Sequence, residues 1–196
     1  APSPWGIPFR ALCSESIENL LFAGRNISVT HAALSSSRVM ATCALLGQAV
    51  GTAAAQMVHD GANTDTLNIE KLQNTLMEDD CWLPGKQRQV AALSQRLHCN
   101  APVVINGKER GDENKWIGKK GDFLEFRDDK PFHLRGIRLV LDSDLNRDYQ
   151  NMPCCIRLHE ERFRLPKTLI KDLDIVLTLS DGKTKTLALR DVHTRF

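Results

Sequence analysis

The six cysteines, Cys13, Cys43, Cys81, Cys99, Cys154 and Cys155, contain no C-x-x-C pair, and none sits at a spacing from histidine that suits zinc. That excludes the common structural zinc sites. A disulfide between the neighbours Cys154 and Cys155 would be strained. Buried or free thiols are therefore expected, and cysteine usage leaves the compartment open between cytoplasm and periplasm. No apolar run reaches the roughly 18 residues of a membrane span. Residues 38–57 come closest, but Arg38, Gln48, Gln56 and the glycines interrupt them, so a buried core helix is expected and no membrane partner. No sign of charge dominates. The 26 basic and 24 acidic residues leave +2, without the concentrated basic patch of a nucleic-acid surface. His98, His133, His159 and His193 form no ligand pattern, and no metal is expected. The acid runs Glu78-Asp79-Asp80 and Asp128-Asp129 read as solvated turns, not as hydrolytic carboxylate pairs. Ala1-Pro2-Ser3-Pro4 carries no initiator Met, no basic segment and no apolar leader. The chain is expected to be a piece of a longer one.

What is present is concentrated in Asn19–Met57. Leu20-Leu21-Phe22-Ala23 reads as a short strand. Its lack of alternation suggests that both faces are covered, as in a central parallel sheet. Gly24-Arg25 breaks it. A polar loop follows, then a long helix that contains no acid. Ser35-Ser36-Ser37 precede that helix as candidate caps, since a serine oxygen accepts a free N–H of the first turn. Ala44, Gly47, Gly51 and Ala55 fall on one helical face. Glycine costs roughly 1 kcal/mol in a helix interior, so two on one stripe suggest that another backbone or a ligand passes close. The helix is apolar nearly all round and is expected to be buried. Gly61 is the expected C-terminal cap. A second helix is predicted from about Ile69 to Asp79, with Asn68 as its cap and Ile69, Leu72 and Leu76 as its apolar stripe. Before all this, Trp5–Arg10 is extended because Pro8 restricts its neighbours.

After Pro102 the pattern changes to short β-rich runs and turn signals. Strands are expected at 103–105, 123–127, 132–142, 156–158, 173–179 and 186–194. Asp181-Gly182 between two such runs is a strong hairpin signal. The whole reads as a small antiparallel sandwich. The expected organisation is α+β in two parts: an α-rich piece at 1–86, a linker at 87–101, within which Gln87 to His98 reads as helix or linker, and a sandwich at 102–196.

Several ordered motifs resemble the C-terminal end of a large bacterial family of FAD-dependent oxidoreductases. They are Trp5-Gly6-Ile7-Pro8-Phe9-Arg10, Glu18-Asn19-Leu20-Leu21-Phe22-Ala23-Gly24-Arg25, Ile27-Ser28 to His31, Arg38-Val39-Met40, and Gly47-Gln48-Ala49-Val50-Gly51-Thr52-Ala53-Ala54. The resemblance covers about residues 5–83. It implies that residues 1–86 are the C-terminal part of a Rossmann-like FAD-binding domain. It also implies that Gly24, Arg25, Ser37, Arg38, Val39 and Met40 contact the cofactor. Gly24 would let the backbone approach the pyrophosphate or ribityl chain, and Arg25 would add charge there. The first turn of the long helix, about Arg38 to Ala41, would aim its N–H groups at the electron-rich flavin edge. The intact enzyme would move a hydride between an unknown organic substrate and the flavin. No G-x-G-x-x-G occurs in the chain, so the part that holds the ADP half is expected to be a missing partner. The chain alone is then expected neither to retain FAD nor to catalyse.

Alternatives stay open at each position. Gly24-Arg25 is a flavin contact or an ordinary strand-ending turn. His31 is a proton-moving residue at the flavin or a polar loop residue. Arg10 clamps an anionic substrate or sits in a structural salt bridge. Arg38 opposes the helix dipole unless an anion lies nearby. Residues 100–196 resemble, at fold level only, a discoidin or galactose-binding sandwich, through Asn106-Gly107 and Asn114-Lys115-Trp116. Trp116 is then a sugar-stacking platform or part of a core. Carbohydrate binding, bracing of the catalytic domain or of a dimer interface, and self-association through an exposed long helix are the further expectations.

Overall fold

The computed structural model describes residues 4–142 and 169–192. Over these the chain is α+β. Its helices are α1 (His31–Ser37), α2 (Met40–Asp60), α3 (Ile69–Glu78) and α4 (Ala92–Arg96). Its strands, all short, are β1 (His98–Cys99), β2 (Phe126–Arg127), β3 (Leu173–Thr178) and β4 (Thr184–Leu189). Two compact units divide the chain, Ala1–Glu125 and Phe126–Phe196.

In the first unit the chain leaves Pro8 in a single 3-10 turn, Phe9–Leu12. The Leu12 carbonyl accepts from the Phe22 amide at 2.7 Å, and the Ser14 amide donates to the Leu20 carbonyl at 3.0 Å. Segments 12–14 and 20–22 thus run antiparallel, with Cys13 bridging Leu21. The strand expected at Leu20–Ala23 shrinks to that one bridged residue. Asn19, at a φ of 63°, turns the chain just before it. No named strand pairs with this segment among the described residues, and of its amides Phe22 bonds to the end of the 3-10 turn while Leu20 bonds to the Ile17 carbonyl.

Two helices stand where one was expected. Thr30 Oγ1 accepts from the Ala33 amide at 3.3 Å and caps α1. Ser35, Ser36 and Ser37 therefore lie inside α1 and do not cap the long helix. The chain extends at Val39 (φ −74°, ψ 149°), and α2 begins at Met40 with no side-chain cap. The start is two residues later than the resemblance placed it. Gly61, at a φ of 63°, ends α2 as expected, its amide bonding to the Met57 carbonyl. α3 forms with its expected cap, Asn68 Oδ1 accepting from the Lys71 amide at 3.0 Å; of its expected stripe Leu72 and Leu76 are buried, but Ile69 is 38% exposed.

α2 packs along one side only. Ala53 and Met57 join Leu67, Leu72, Leu76 and Cys81 in one core cluster. Leu46 joins Leu12 and Ile27 in another. Both clusters take in Phe9. Between the helices, Gln56 Nε2 donates to the Asn68 carbonyl at 3.1 Å. The expectation of a helix buried all round fails on the opposite side. Ala44, Gly47, Gly51 and Ala55 are exposed there. Met40 and Val58 are 89% and 86% exposed. A Cβ built on Gly47 or Gly51 would meet nothing within 4 Å, so no backbone passes this stripe among the described residues. By length and composition α2 is apolar enough to cross a membrane, despite Gln48 and Gln56. Its packing on Leu67, Leu72 and Leu76 accounts for part of that apolar content, since core helices meet the same test.

Beyond α3, residues 87–101 are anchored at Arg88. Its guanidinium pairs with Glu109 through Nε, with Asp80 at 3.0 Å and with Glu78 at 3.8 Å. Its amide donates to the Gly107 carbonyl at 3.1 Å. A Cβ on Gly107 would lie 2.6 Å from the Arg88 carbonyl, at a φ of 75° that already favours glycine. Residues 103–105, expected as a strand, form a 3-10 turn with Pro102 at its start, because proline lacks the N–H a ladder needs. Asn100 acts as an extra peptide group, its side chain donating to the Phe123 carbonyl and accepting from the Glu125 amide at 3.1 and 2.9 Å.

In the second unit the Asp181-Gly182 hairpin forms as expected. β3 pairs antiparallel with β4, Leu173 opposite Leu189 and Ile175 opposite Leu187. Gly182 has a φ of 79°, and Asp181 Oδ1 accepts from the Lys183 amide at 3.0 Å. That amide, with the Lys183 ammonium, holds the Asp181 carboxyl below its ordinary range. Of residues 123–127 only Phe126–Arg127 is strand, and 132–142 carries none. The strand expected at 156–158 and the end of 186–194 lie outside the described residues. The described sheets are two-stranded.

Candidate functional site

The six positions expected to hold a cofactor fall around the head of α2. Gly24 stands at a φ of 101°, a backbone state that L side chains rarely adopt. A Cβ there would lie 3.9 Å from Cys43 Sγ, in the first turns of α2, and 3.9 Å from Asn26 Oδ1. Cys43 Sγ lies 3.9 Å from the Ser37 carbonyl. Gly24, Ser37 and Cys43 thus meet, and Arg25 follows directly on the exposed outside of the turn.

Ser37 is fully buried, and its hydroxyl donates to the carbonyls of Ala33 at 3.2 Å and Leu34 at 3.5 Å. That bonding is the ordinary way for a serine to close a helix upon itself, so its side chain is committed inside α1. Arg38 caps the C-terminus of α1 in a helical conformation, its amide donating to the Leu34 carbonyl at 3.1 Å. It is an α1-terminal residue, where a cation suits the helix dipole, and this removes the electrostatic oddity of its place. Val39 and Met40 are exposed at the junction. Among the described residues no side chain caps the first turn of α2.

The two positions expected to act on substrate are less closely drawn in. His31 is the exposed first residue of α1. Among the described residues no hydrogen bond or ion pair joins its ring to the Gly24 cluster. Arg10 lies in the 3-10 turn, exposed, and forms no ion pair among the described residues, so the salt bridge weighed for it is not formed there. Its neighbour Ala11 is tied to the same loop, since the Ala11 carbonyl accepts from the Ser28 amide at 2.9 Å.

Cys43 was not singled out in the sequence, although it occupies the place nearest Gly24. Its signal was positional: a helix starting at Met40 puts residue 43 in the opening turns, facing back toward the preceding loop. The other described thiols, Cys13, Cys81 and Cys99, are likewise unbridged. Burial pushes the Cys81 thiol up. Burial, and then Asp65, do the same to Cys13. The hollow on the polar face of α3, lined by Asn68, Lys71, Asn74, Thr75 and Glu78, shares no residue with the Gly24 cluster.

Trp116 is 37% exposed. A Cβ on Gly118 would overlap its ring, so the indole rests on glycine backbone. Trp82 carries the Arg110 guanidinium 5.0 Å from its ring centroid.

The cluster thus sets a turn of this backbone state against the start of α2. Residues 1–76 match the family model described as FAD dependent oxidoreductase. That match supports reading the region as part of a FAD-dependent flavoprotein oxidoreductase. No curated protein and no solved structure matches the chain.

Proposed function

We propose that residues 1–86 are the flavin-side part of a FAD-dependent oxidoreductase with a Rossmann-like nucleotide domain, and that the part gripping the ADP half is a separate stretch outside this sequence. The observation that carries the reading is the Gly24 turn against Cys43 at the uncapped head of α2, within the region that matches the family. The donor set fits FAD: the first amides of α2 are free of side-chain caps, and Arg25 and Arg38 have no ion pair among the described residues. In this reading Gly24 admits a close backbone approach, and Arg25 supplies positive charge at the turn. The junction Ser37-Arg38-Val39-Met40 sets where the α2 amides point. Ser37 contributes by its backbone, because its hydroxyl is held within α1. When bound, FAD supplies two-electron redox chemistry toward an organic substrate. Arg10 is the candidate clamp for an anionic substrate group, being exposed and free of an ion pair, and His31 is the candidate proton carrier.

The same proposal makes the chain incomplete as an enzyme. Purified alone, it should be colourless and hold no flavin. A yellow protein with near-stoichiometric flavin absorbance would overturn that. Mixed with a partner that carries a G-x-G-x-x-G nucleotide site, it should give a flavin-containing complex, and Gly24→Val should lower its flavin occupancy several-fold. Unchanged occupancy would remove Gly24 from the site.

A second reading rests on Trp116. Its indole rests on Gly118 and stays 37% exposed, so a ligand can reach part of it. A carbohydrate-binding surface around Trp116 would bind glycans on an array and lose the signal in Trp116→Ala. No signal on the array would end this reading.

A further inference from the structure

We draw no further inference here: the strongest candidate, the exposed face of α2 formed by Ala44, Gly47, Gly51 and Ala55 between Met40 and Val58, is an unpartnered apolar face among the described residues, and nothing in the structure shows what covers it.

Discussion

Arg88 gathers carboxylates from two parts of the first unit, Glu78 and Asp80 at the end of α3 and Glu109 further on. Its side chain is only 11% exposed. Burial works against the charge, but Glu109, with Glu78 and Asp80, outweighs it and holds the guanidinium above its ordinary value. Removing one member of a buried pair leaves the other charge uncompensated, which costs about 3 kcal/mol or more. Arg88→Met should therefore lower the unfolding free energy of the first unit, read by urea titration, by that order, leaving Glu109 stranded. The double variant Arg88→Met with Glu109→Leu should recover much of the loss, because packed apolar residues replace ion pairs at little cost. A single variant as stable as the parent would show that the cluster contributes nothing. Arg88 was hidden in the sequence, which gave no reason to separate it from its polar neighbours. Its role depends on Gly107, nineteen residues away, lacking a side chain.

The elements differ in how far local sequence decides them. α3, the Gly61 cap and the Asp181-Gly182 hairpin were legible because each is set by residues within a few positions of one another. Asn68 meets the Lys71 amide, Gly61 takes a left-handed state, and Gly182 takes the positive φ of a tight turn. The strand at Leu20–Ala23 was misread because apolar content alone does not supply a neighbour to pair with. The runs at 103–105 and 132–142 failed for the same reason, with Pro102 adding a lost donor at the first. The division between α1 and α2 turned on competition between caps. Thr30 and Ser35–Ser37 all offer a hydroxyl, and Thr30 is the one with the extended backbone of an N-cap (φ −66°, ψ 157°). A direct check follows. Thr30→Ala should cost about 1 kcal/mol by loss of the cap, while Ser36→Ala, exposed within α1, should stay within about 0.5 kcal/mol. Thermal unfolding of the two variants compares them. A larger loss at Ser36 would restore the serines as caps of the long helix.

At the scale of the whole molecule, the candidate site was legible as a set of motifs and much less so as an arrangement. Gly24 and the junction 37–40 do lie at one place, but the neighbour that makes the place, Cys43, required knowing where α2 starts. The apolar outer face of α2 has the same origin: a pattern that reads as buried needs a second layer, and among the described residues only one layer is there. Contiguous apolar exposure of this kind favours association. Sedimentation velocity of the chain alone should show concentration-dependent species larger than a monomer. Gly47→Glu with Ala55→Glu, both on that face, should shift them to monomer without loss of helical circular dichroism. A parent that stays monomeric throughout would end the expectation of self-association.

Asn68 is bonded from two directions, its side chain at the first turn of α3 and its carbonyl by Gln56 of α2. A residue so placed ties the fate of one helix start to the middle of another. Fluctuations that displace the Asn68 backbone release Gln56 as well, whose second polar atom, Oε1, is buried without a partner among the described residues. The α2–α3 pair should then open as one cooperative block and not fray from the α3 end. Hydrogen exchange is where this tie becomes visible, as amides on two separate helices sharing one opening free energy.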